Sequence, residues 1–367
     1  MKNVLKNQTE TITKEIVKTG SCCGSSSNIS ETASLLNETG YPAIRSTSSG
    51  ISLANRWDHL MARLGVKRGQ HLIEPGLYTI GKPTKESPVF VSANYTLSFD
   101  ALRSALHGND CYILVLDTKG INVWCAAGKG TFGTDELVHR IEAVGLNDVV
   151  NHRTLIVPQL GATGVDAREV RARSGFKVEF GPVRAADLPE YLKTHKATEE
   201  MRRVRFTLSD RIVLLPIEMI YILIPVLIAS AIIALIGNYT ASAAVIAATF
   251  SGVVLFPILL PWIPTTDFST KGFLIGVLMA LPFALNSFYG MTDGTLWLRY
   301  GWGLTYMLIM PSISAFLALN FTGSTTFTSV TGVKREIFTY IPKMAGMFGI
   351  GIILVIVLTS MRILGGV

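Results

Sequence analysis

The sequence predicts two folds in series: an α/β domain with a largely parallel sheet, then an all-α domain of about five membrane-spanning helices. Two observations carry this. Between residues 88 and 180, short apolar runs alternate with amphipathic stretches, the pattern of repeated β-α-β units. From Phe206 onward only 7 of the chain's 33 Lys and Arg and 5 of its 26 Asp and Glu remain, so the low overall charge of 16% is a local deficit. The same half holds five apolar runs that reach or approach the length needed to cross about 30 Å of hydrocarbon.

Taken in order, residues 1–50 are rich in Ser, Thr, Asn, Lys and Glu and are expected to be largely disordered, because they bury too little apolar surface to offset ordering entropy. Cys22 and Cys23 are adjacent there, either a thiolate pair for a soft metal such as Hg(II) or incidental to the tail. With four cysteines in all and no secretory apolar segment at the N-terminus, no disulfide framework is expected, and the soluble half should face a reducing cytoplasm. Residues 51–190 form the α/β domain. A helix is expected over 54–64 and a strand over 78–82 before Pro83 and Pro88. Strands then follow at 88–93, 111–116, 154–158 and 176–180, with helices at 98–106, 134–144 and 167–172. Cys111 opens a strand and reads as buried structure.

In such a sheet, Rossmann-like in its alternation, ligands bind at strand C-terminal ends. Those ends carry Asn94-Tyr95-Thr96, Thr118-Lys119-Gly120, Gln159-Leu160-Gly161-Ala162-Thr163-Gly164 and Gly181-Pro182-Val183-Arg184. Their glycines and small residues let backbone approach a large flat ligand, although the same composition also suits ordinary turns.

The stretch Asn122-Val123-Trp124-Cys125-Ala126-Ala127-Gly128-Lys129 sits in the strand-to-helix crevice. If Asn122 opens a short helix, Cys125 lies in its first turn, where unpaired N–H groups and the helix dipole favour a metal-ligating thiolate. A buried structural cysteine is the other reading. Gly128-Lys129-Gly130-Thr131-Phe132-Gly133 matches the dinucleotide pattern, but residues 117–127 separate it from the strand end; a phosphate-binding loop would need glycine where Val123 stands.

Residues 121–134, Ile-Asn-Val-Trp-Cys-Ala-Ala-Gly-Lys-Gly-Thr-Phe-Gly-Thr, resemble the cap-helix motif of the corrinoid protein of microbial mercury methylation, the HgcA family. That family joins a membrane domain to a corrinoid-binding domain similar to that of the corrinoid iron–sulfur protein of the acetyl-CoA pathway. The resemblance implies a Rossmann-like corrinoid-binding domain and a cobalamin-type cobalt cofactor resting on the four strand-end segments and the cap. The expected contacts are Asn94, Thr96, Thr118, Gly120, Gln159, Gly161, Ala162, Gly164, Gly181, Pro182 and Val183, with Asn122 to Lys129 above them. It also implies methyl transfer from cobalt to Hg(II), a ferredoxin-like iron–sulfur protein as electron donor, and a methyl donor from one-carbon metabolism. The chain has no C-x-x-C cluster for an iron–sulfur centre of its own.

The histidine-ligating corrinoid signature D-x-H-x-x-G is absent, since none of His59, His71, His107, His139, His152 and His195 has Asp two residues before it. Another ligand is then needed, or none; Cys125, the only cysteine in a helix-entry loop at a strand C-terminal end, is the expected lower axial ligand, its thiolate pushing electron density toward cobalt as thiolate does toward haem iron. Asn122 would cap the segment, Trp124 shield the cobalt face and Lys129 favour the thiolate; each also has a plain packing or solvent reading. Two other functions stay open: a corrinoid methyl carrier of one-carbon or acetyl-CoA metabolism, and a non-catalytic membrane receptor or transporter for corrinoids.

The net charge of +7 is concentrated before the first apolar run, at Lys193, Lys196, Arg202, Arg203, Arg205 and Arg211. That excludes a nucleic-acid surface and marks residues 191–211 as a basic linker on the cytoplasmic side. Spans are expected at 212–237, 241–262, 272–289, 300–321 and 344–361, giving a multi-pass protein of the cytoplasmic membrane with its corrinoid domain inside and its C-terminus outside. Glu218 is the one ionisable residue inside these spans, placed for function or simply near the interface. No cysteine follows Cys125, so the membrane half, residues 212–367, is expected to anchor and dock rather than conduct mercury; Met279, Met307, Met310 and Met347 are softer ligands or packing residues. The hydroxyl-rich segment 320–332 is a docking loop or a solvated one.

Overall fold

The structure is a computed structural model that describes residues 43–67, 69–290, 295–325 and 328–364. The expected tail disorder up to residue 42, and the Cys22-Cys23 pair, lie outside the described residues. The chain divides into two compact units, one formed by residues up to Gly50 with Leu72–Lys196, the other by Ile51–His71 with Ala197–Val367.

The elements of the first half are β1 (Arg45–Thr47), α1 (Leu53–Arg63), β2 (Gly76–Ile80), β3 (Val89–Ala93), α2 (Thr96–Ala105), β4 (Cys111–Leu116), α3 (Val123–Lys129), α4 (Thr134–Ala143), α5 (Leu146–Val149), β5 (Thr154–Val157), α6 (Ala167–Ser174), β6 (Lys177–Phe180) and α7 (Leu188–Thr194). All but α1 belong to the first unit. The sheet has six strands in the order β1-β2-β4-β3-β5-β6. β3 and β4 are buried at every residue, as their unbroken apolar runs require when helices cover both faces of a parallel sheet. Val89, Val91, Leu114 and Leu116 pack with Leu137 and Ile141 of α4, Leu155 of β5, Phe132 and Phe176 in one core. Each large side chain buried there contributes about 1.5–3 kcal/mol.

The strands from β4 through β3 and β5 to β6 are parallel, as the alternation predicts, but β2 runs antiparallel to β4. The link from β2 to β3 is too short for the helical crossover that parallel strands need. A second difference is β1, which forms within the stretch expected to be disordered and pairs in parallel with β2. Arg103 of α2 anchors it. Its guanidinium donates to the carbonyls of Ser48 and Gly50 and is paired with buried Asp100 at 2.6 Å. An anchor fifty residues away leaves no trace in the composition of the tail. Cys111 is fully buried, as expected, and burial reinforced by the charge of Asp110 pushes its thiol up to about 12.

The second unit continues with α8 (Glu199–Arg202), α9 (Leu208–Ile212), α10 (Leu215–Leu235), α11 (Tyr239–Phe250), a π-helical stretch at Ser251–Leu255, α12 (Phe256–Leu259), α13 (Phe268–Gly290), α14 (Leu296–Asn320) and α15 (Val330–Leu364). Among the described residues, five helical segments are long and apolar enough to cross a membrane: Leu208–Leu235, Tyr239–Leu259, Phe268–Gly290, Leu296–Gly323 and Thr331–Leu364. Small residues bring them close. A Cβ on Gly252, Gly272 or Gly276 would collide with the backbone or small side chains of α14 between Pro311 and Ala318.

The helices extend beyond the apolar runs and take in charges besides Glu218. Lys271 is buried at the start of α13, and its Nζ donates to the carbonyls of Leu260 and Ile263 at 3.1 and 2.5 Å. Buried Glu336 of α15 accepts from the backbone N–H of Phe268 and Ser269 at 3.2 and 3.0 Å and so caps α13 from another helix. Buried Arg211 donates to the carbonyls of Pro257 and Ile258, each at 2.8 Å, and lies over the ring of Trp262. Charges that find carbonyls and backbone N–H groups escape the penalty of an unpaired polar group. In the segment read as a hydroxyl-rich loop, Phe321–Ser324 is a 3₁₀ turn with Thr322 and Thr325 buried, and α15 already begins at Val330; residues 326 and 327 lie outside the described residues.

A thiol reagent applied to the native, corrinoid-free full chain should modify partly accessible Cys125 and leave Cys111 untouched until denaturant is added, read by mass spectrometry of peptides. Native-state modification of Cys111 would contradict the buried strand.

Candidate ligand crevice at the strand ends

β4 lies on one side of β3 and β5 on the other, so the connections leaving β3 and β5 diverge and open a crevice at their C-terminal ends, the switch point where doubly wound sheets bind ligands. Asn94, directly after β3, organises its near edge. Its Oδ1 accepts from Thr118 N at 3.0 Å, Thr118 Oγ1 at 2.9 Å and Gly120 N at 3.0 Å, while its Nδ2 donates to Asp117 at 3.3 Å. Lys119 and Gly120 are both left-handed, at φ 56° and 69°, a turn that the Asn94 carbonyl stabilises and that glycine makes cheap at its second position. The single proton of the Thr118 hydroxyl is shared between Asn94 Oδ1 and the Ile121 carbonyl, 2.8 Å away, which delivers the chain to α3.

α3 is the expected cap helix. Asn122 is its N-cap, its Oδ1 accepting from Cys125 N at 2.9 Å, and left-handed Gly130 ends it. Ala126 and Ala127 are buried; Val123, Trp124 and Cys125 are partly exposed; Gly128 and Lys129 are exposed. The helix rests on the 3₁₀ turn Gln159–Gly161 and on β3, and thus lies over the crevice. Gly164 makes that seat possible. A Cβ there would stand 2.3 Å from the Phe132 carbonyl oxygen and 3.0 Å from Ala127 Cα, which are backbone and cannot give way. Gly181 and Pro182 are buried beyond the end of β5, where Gln159 N donates to the Pro182 carbonyl at 3.4 Å, and Val183 is partly exposed.

The four strand-end segments and the cap thus meet at one edge of the sheet, in two roles. Asn94, Thr118, Ala126, Ala127, Gly161, Gly181 and Pro182 are buried and build the edge; Thr96, Gly120, Gln159, Ala162, Gly164, Val183 and the outer face of α3 border the crevice. Sequence reasoning missed two supports. Glu136 of α4 accepts from Asp117 N at 2.8 Å while paired with Arg140, and Asp166, the N-cap of α6, donates its N–H to Thr134 Oγ1 at 2.9 Å. The second had a signal in Asp166-Ala167-Arg168-Glu169, an N-cap followed three residues later by Glu.

Two observations test a corrinoid against these residues. Cys125, a free and partly exposed thiol on α3, is a soft donor that would suit a metal carried in by a macrocycle. Thr96 Oγ1 is buried at the crevice edge without a hydrogen-bond partner, a hydroxyl left for a ligand. On both counts the residues fit.

Fold and site together define an α/β domain with a switch-point crevice beneath a short cap helix, the place where sheets of this kind bind ligands. Residues 68–192 match the family described as CO dehydrogenase/acetyl-CoA synthase delta subunit. The chain is similar to the acetyl-CoA decarbonylase/synthase complex subunit gamma of Methanopyrus kandleri, 35% identical over 123 residues that make up 33% of this chain and 26% of the relative. It is likewise similar to the gamma subunits of Methanosarcina acetivorans, 30% identical over 33% of this chain and 26% of the relative, and of Archaeoglobus fulgidus, 31% identical over 35% and 27%. The chain spans about a quarter of the length of these curated relatives.

Asn94→Ala removes an acceptor shared by three donors; Thr118 N and its hydroxyl keep the Leu116 and Ile121 carbonyls, so the loss falls mainly on Gly120 N and should lower the stability of the α/β unit by about 1–3 kcal/mol, read from denaturant unfolding. A paired glycine comparison separates fold from site. Gly164→Ala should lower the melting temperature and loosen α3, whereas Gly128→Ala, whose Cβ meets nothing within 4 Å, should raise helix stability by about 0.5–1 kcal/mol. A Gly164→Ala protein as stable as the wild type would contradict the seat described for α3.

Proposed function

We propose that the α/β unit holds a cobalt corrinoid in this crevice, and that the chain is a corrinoid-dependent methyl carrier attached to a lipid bilayer by its helical unit. The observation that carries this reading is a coincidence of ranges: the acetyl-CoA synthase match spans residues 68–192, and the crevice, its cap and Cys125 all fall inside it. It accords with the likeness of segment 121–134 to a corrinoid-binding cap. The five apolar helices supply the bilayer attachment.

When bound, a corrinoid supplies a metal centre that accepts a methyl group and gives it to an electrophile, chemistry beyond any side chain. The chain's residues have the other tasks. Asn94 fixes the Thr118–Gly120 turn, Gly164 lets α3 close onto the crevice, and the Thr96 hydroxyl and the small residues 159–164 receive the ligand's rim. Val123 and Trp124 keep water from the capped face. Cys125, whose backbone N–H is held by the Asn122 cap, would supply a thiolate donor to the metal.

The acceptor we propose is Hg(II), with a ferredoxin-like iron–sulfur protein as electron donor and one-carbon metabolism as methyl source. This finer step rests on segment 121–134, where a cysteine stands in the cap, and on the helical unit. The relatives favour a second reading, a methyl carrier serving an acetyl-CoA decarbonylase/synthase type of complex, which uses the same crevice and differs in the acceptor.

The test is to load the full chain with methylated corrinoid, add Hg(II) and assay methylmercury, with Cys125→Ala in parallel. Wild type should form methylmercury; Cys125→Ala should stay folded, shift the visible spectrum and lose about 10- to 100-fold in transfer, the usual effect of disturbing a metal site. Corrinoid uptake without methylmercury would move the assignment to the second reading. An unchanged spectrum and rate in Cys125→Ala would remove the axial role of Cys125, and a protein that takes up no corrinoid would end both readings.

A further inference from the structure

We infer that α1 is an interfacial helix that lies along an anionic membrane surface beside the start of the first apolar span. The inference is independent of the corrinoid reading. α1 is firmly started: Asn55 N donates to Ser52 Oγ at 3.2 Å and Ser52 N to Asn55 Oδ1 at 3.0 Å, a reciprocal capping box. Leu53, Trp57 and Leu60 recur at i, i+4 and i+7 and so share one face, yet they are 83%, 64% and 45% exposed. Exposed Arg56 and Arg63 border that face, and exposed Lys67 follows the helix.

On the side away from the stripe Ala62 is buried, and half-buried Asp58 ties the helix to its own unit through His71. Asp58 accepts from His71 Nδ1 at 2.7 Å, and His71 Nε2 donates to the Val66 carbonyl at 2.8 Å. Both ring nitrogens face acceptors, an arrangement satisfied by a doubly protonated imidazolium. Burial disfavours that charge, but the bonds to Val66 and Asp58 outweigh it and the pKa is raised. A helix on a water-facing surface keeps its apolar side in and its charges out. An exposed apolar stripe with an aromatic residue and a basic border is the design of a helix bedded at the headgroup level.

The position of α1 within its own unit identifies the surface. The turn after the helix packs on the first turns of α10: a Cβ on left-handed Gly65 would lie 3.3 Å from the Ile217 side chain and 3.4 Å from Tyr221 Oη. Exposed Tyr221 suits the interface belt of a spanning helix, and Arg202, Arg203 and Arg205 immediately precede that span. The stripe therefore emerges beside a span entrance, and its basic border complements phosphate-bearing lipid headgroups.

The full chain is reconstituted in nanodiscs of phosphatidylcholine with phosphatidylglycerol, using lipids brominated near the headgroup end of the acyl chain. The Trp57 signal is the fluorescence difference between wild type and Trp57→Phe, a mild change at an exposed site; Leu53→Trp in the Trp57→Phe background moves the reporter along the same face as a second measure. Both reporters should be strongly quenched by brominated lipid and poorly reached by aqueous iodide. Omitting phosphatidylglycerol should reduce the lipid quenching, and an Arg56→Gln, Arg63→Gln, Lys67→Gln variant should no longer respond to that omission. Reporters quenched by iodide and not by lipid, reporters shielded from both by a protein partner or a second copy, or lipid quenching indifferent to phosphatidylglycerol would each overturn the inference.

Discussion

One side-chain carbonyl sets the geometry of the ligand crevice. Asn94 Oδ1 gathers two backbone N–H groups and a hydroxyl from the loop after the neighbouring strand, in a place closed to water. Left unpaired there, each donor would cost about 1–3 kcal/mol, so loop 117–121 has little freedom to take another path. Because that loop leads straight into the N-cap of the cap helix, the direction in which Cys125 presents its sulfur is inherited from a strand end nearly thirty residues earlier. Gly164 completes the arrangement from the opposite bank. The site is a clamp between two strand ends, and the cap helix, only two turns long, has no stability of its own to contribute.

The helical unit solves a related problem with other means. Among the described residues of this unit three Lys, Arg or Glu side chains are buried, and each faces backbone groups that a helix terminus leaves unpaired: Lys271 and Arg211 take carbonyls, and Glu336 takes N–H groups. Water would otherwise serve those groups. Interhelical hydroxyls and glycines add close packing without demanding a hydrophobic contrast that lipid does not offer.

Much of this was legible in the residues. β4 matches its apolar run residue for residue, and the strands at 89–93, 154–157 and 177–180 lie within one residue of the expected bounds; β3, β4 and β5 are largely apolar because both faces are covered, whereas β6, Lys-Val-Glu-Phe at the sheet edge, alternates. The convergence of Asn94, Thr118, the cap and 159–164 followed from the rule that places ligands at strand C-terminal ends. Features set by distant partners were not legible. β1 depends on Arg103, the antiparallel β2 on the shortness of a link, and the burial of Lys271 on the curve of residues 260–267; none leaves a local pattern. α1 was read from its periodicity as a helix, but periodicity is silent on whether an apolar stripe faces a core or a membrane.

The π-helical stretch Ser251–Leu255 carries a further consequence. A π turn holds one residue more than an α turn, and it occurs just before Pro257, which has no N–H to give to a preceding carbonyl. The Ser251 and Ser314 hydroxyls donate to the Ala248 carbonyl at 2.7 and 2.9 Å and so occupy an acceptor beside the irregularity. Deleting one residue would restore a regular helix, better bonded along its own axis. The wide turn takes up its extra residue locally, so that deletion would leave Pro257 and Ile258 facing Arg211, whereas a deletion in the regular helix before it would turn them away by about 100° and leave a buried guanidinium without acceptors. The second span is thus free to change length at this turn and beyond Leu259 but not in the regular helix between Tyr239 and Phe250, and insertions or deletions should divide accordingly.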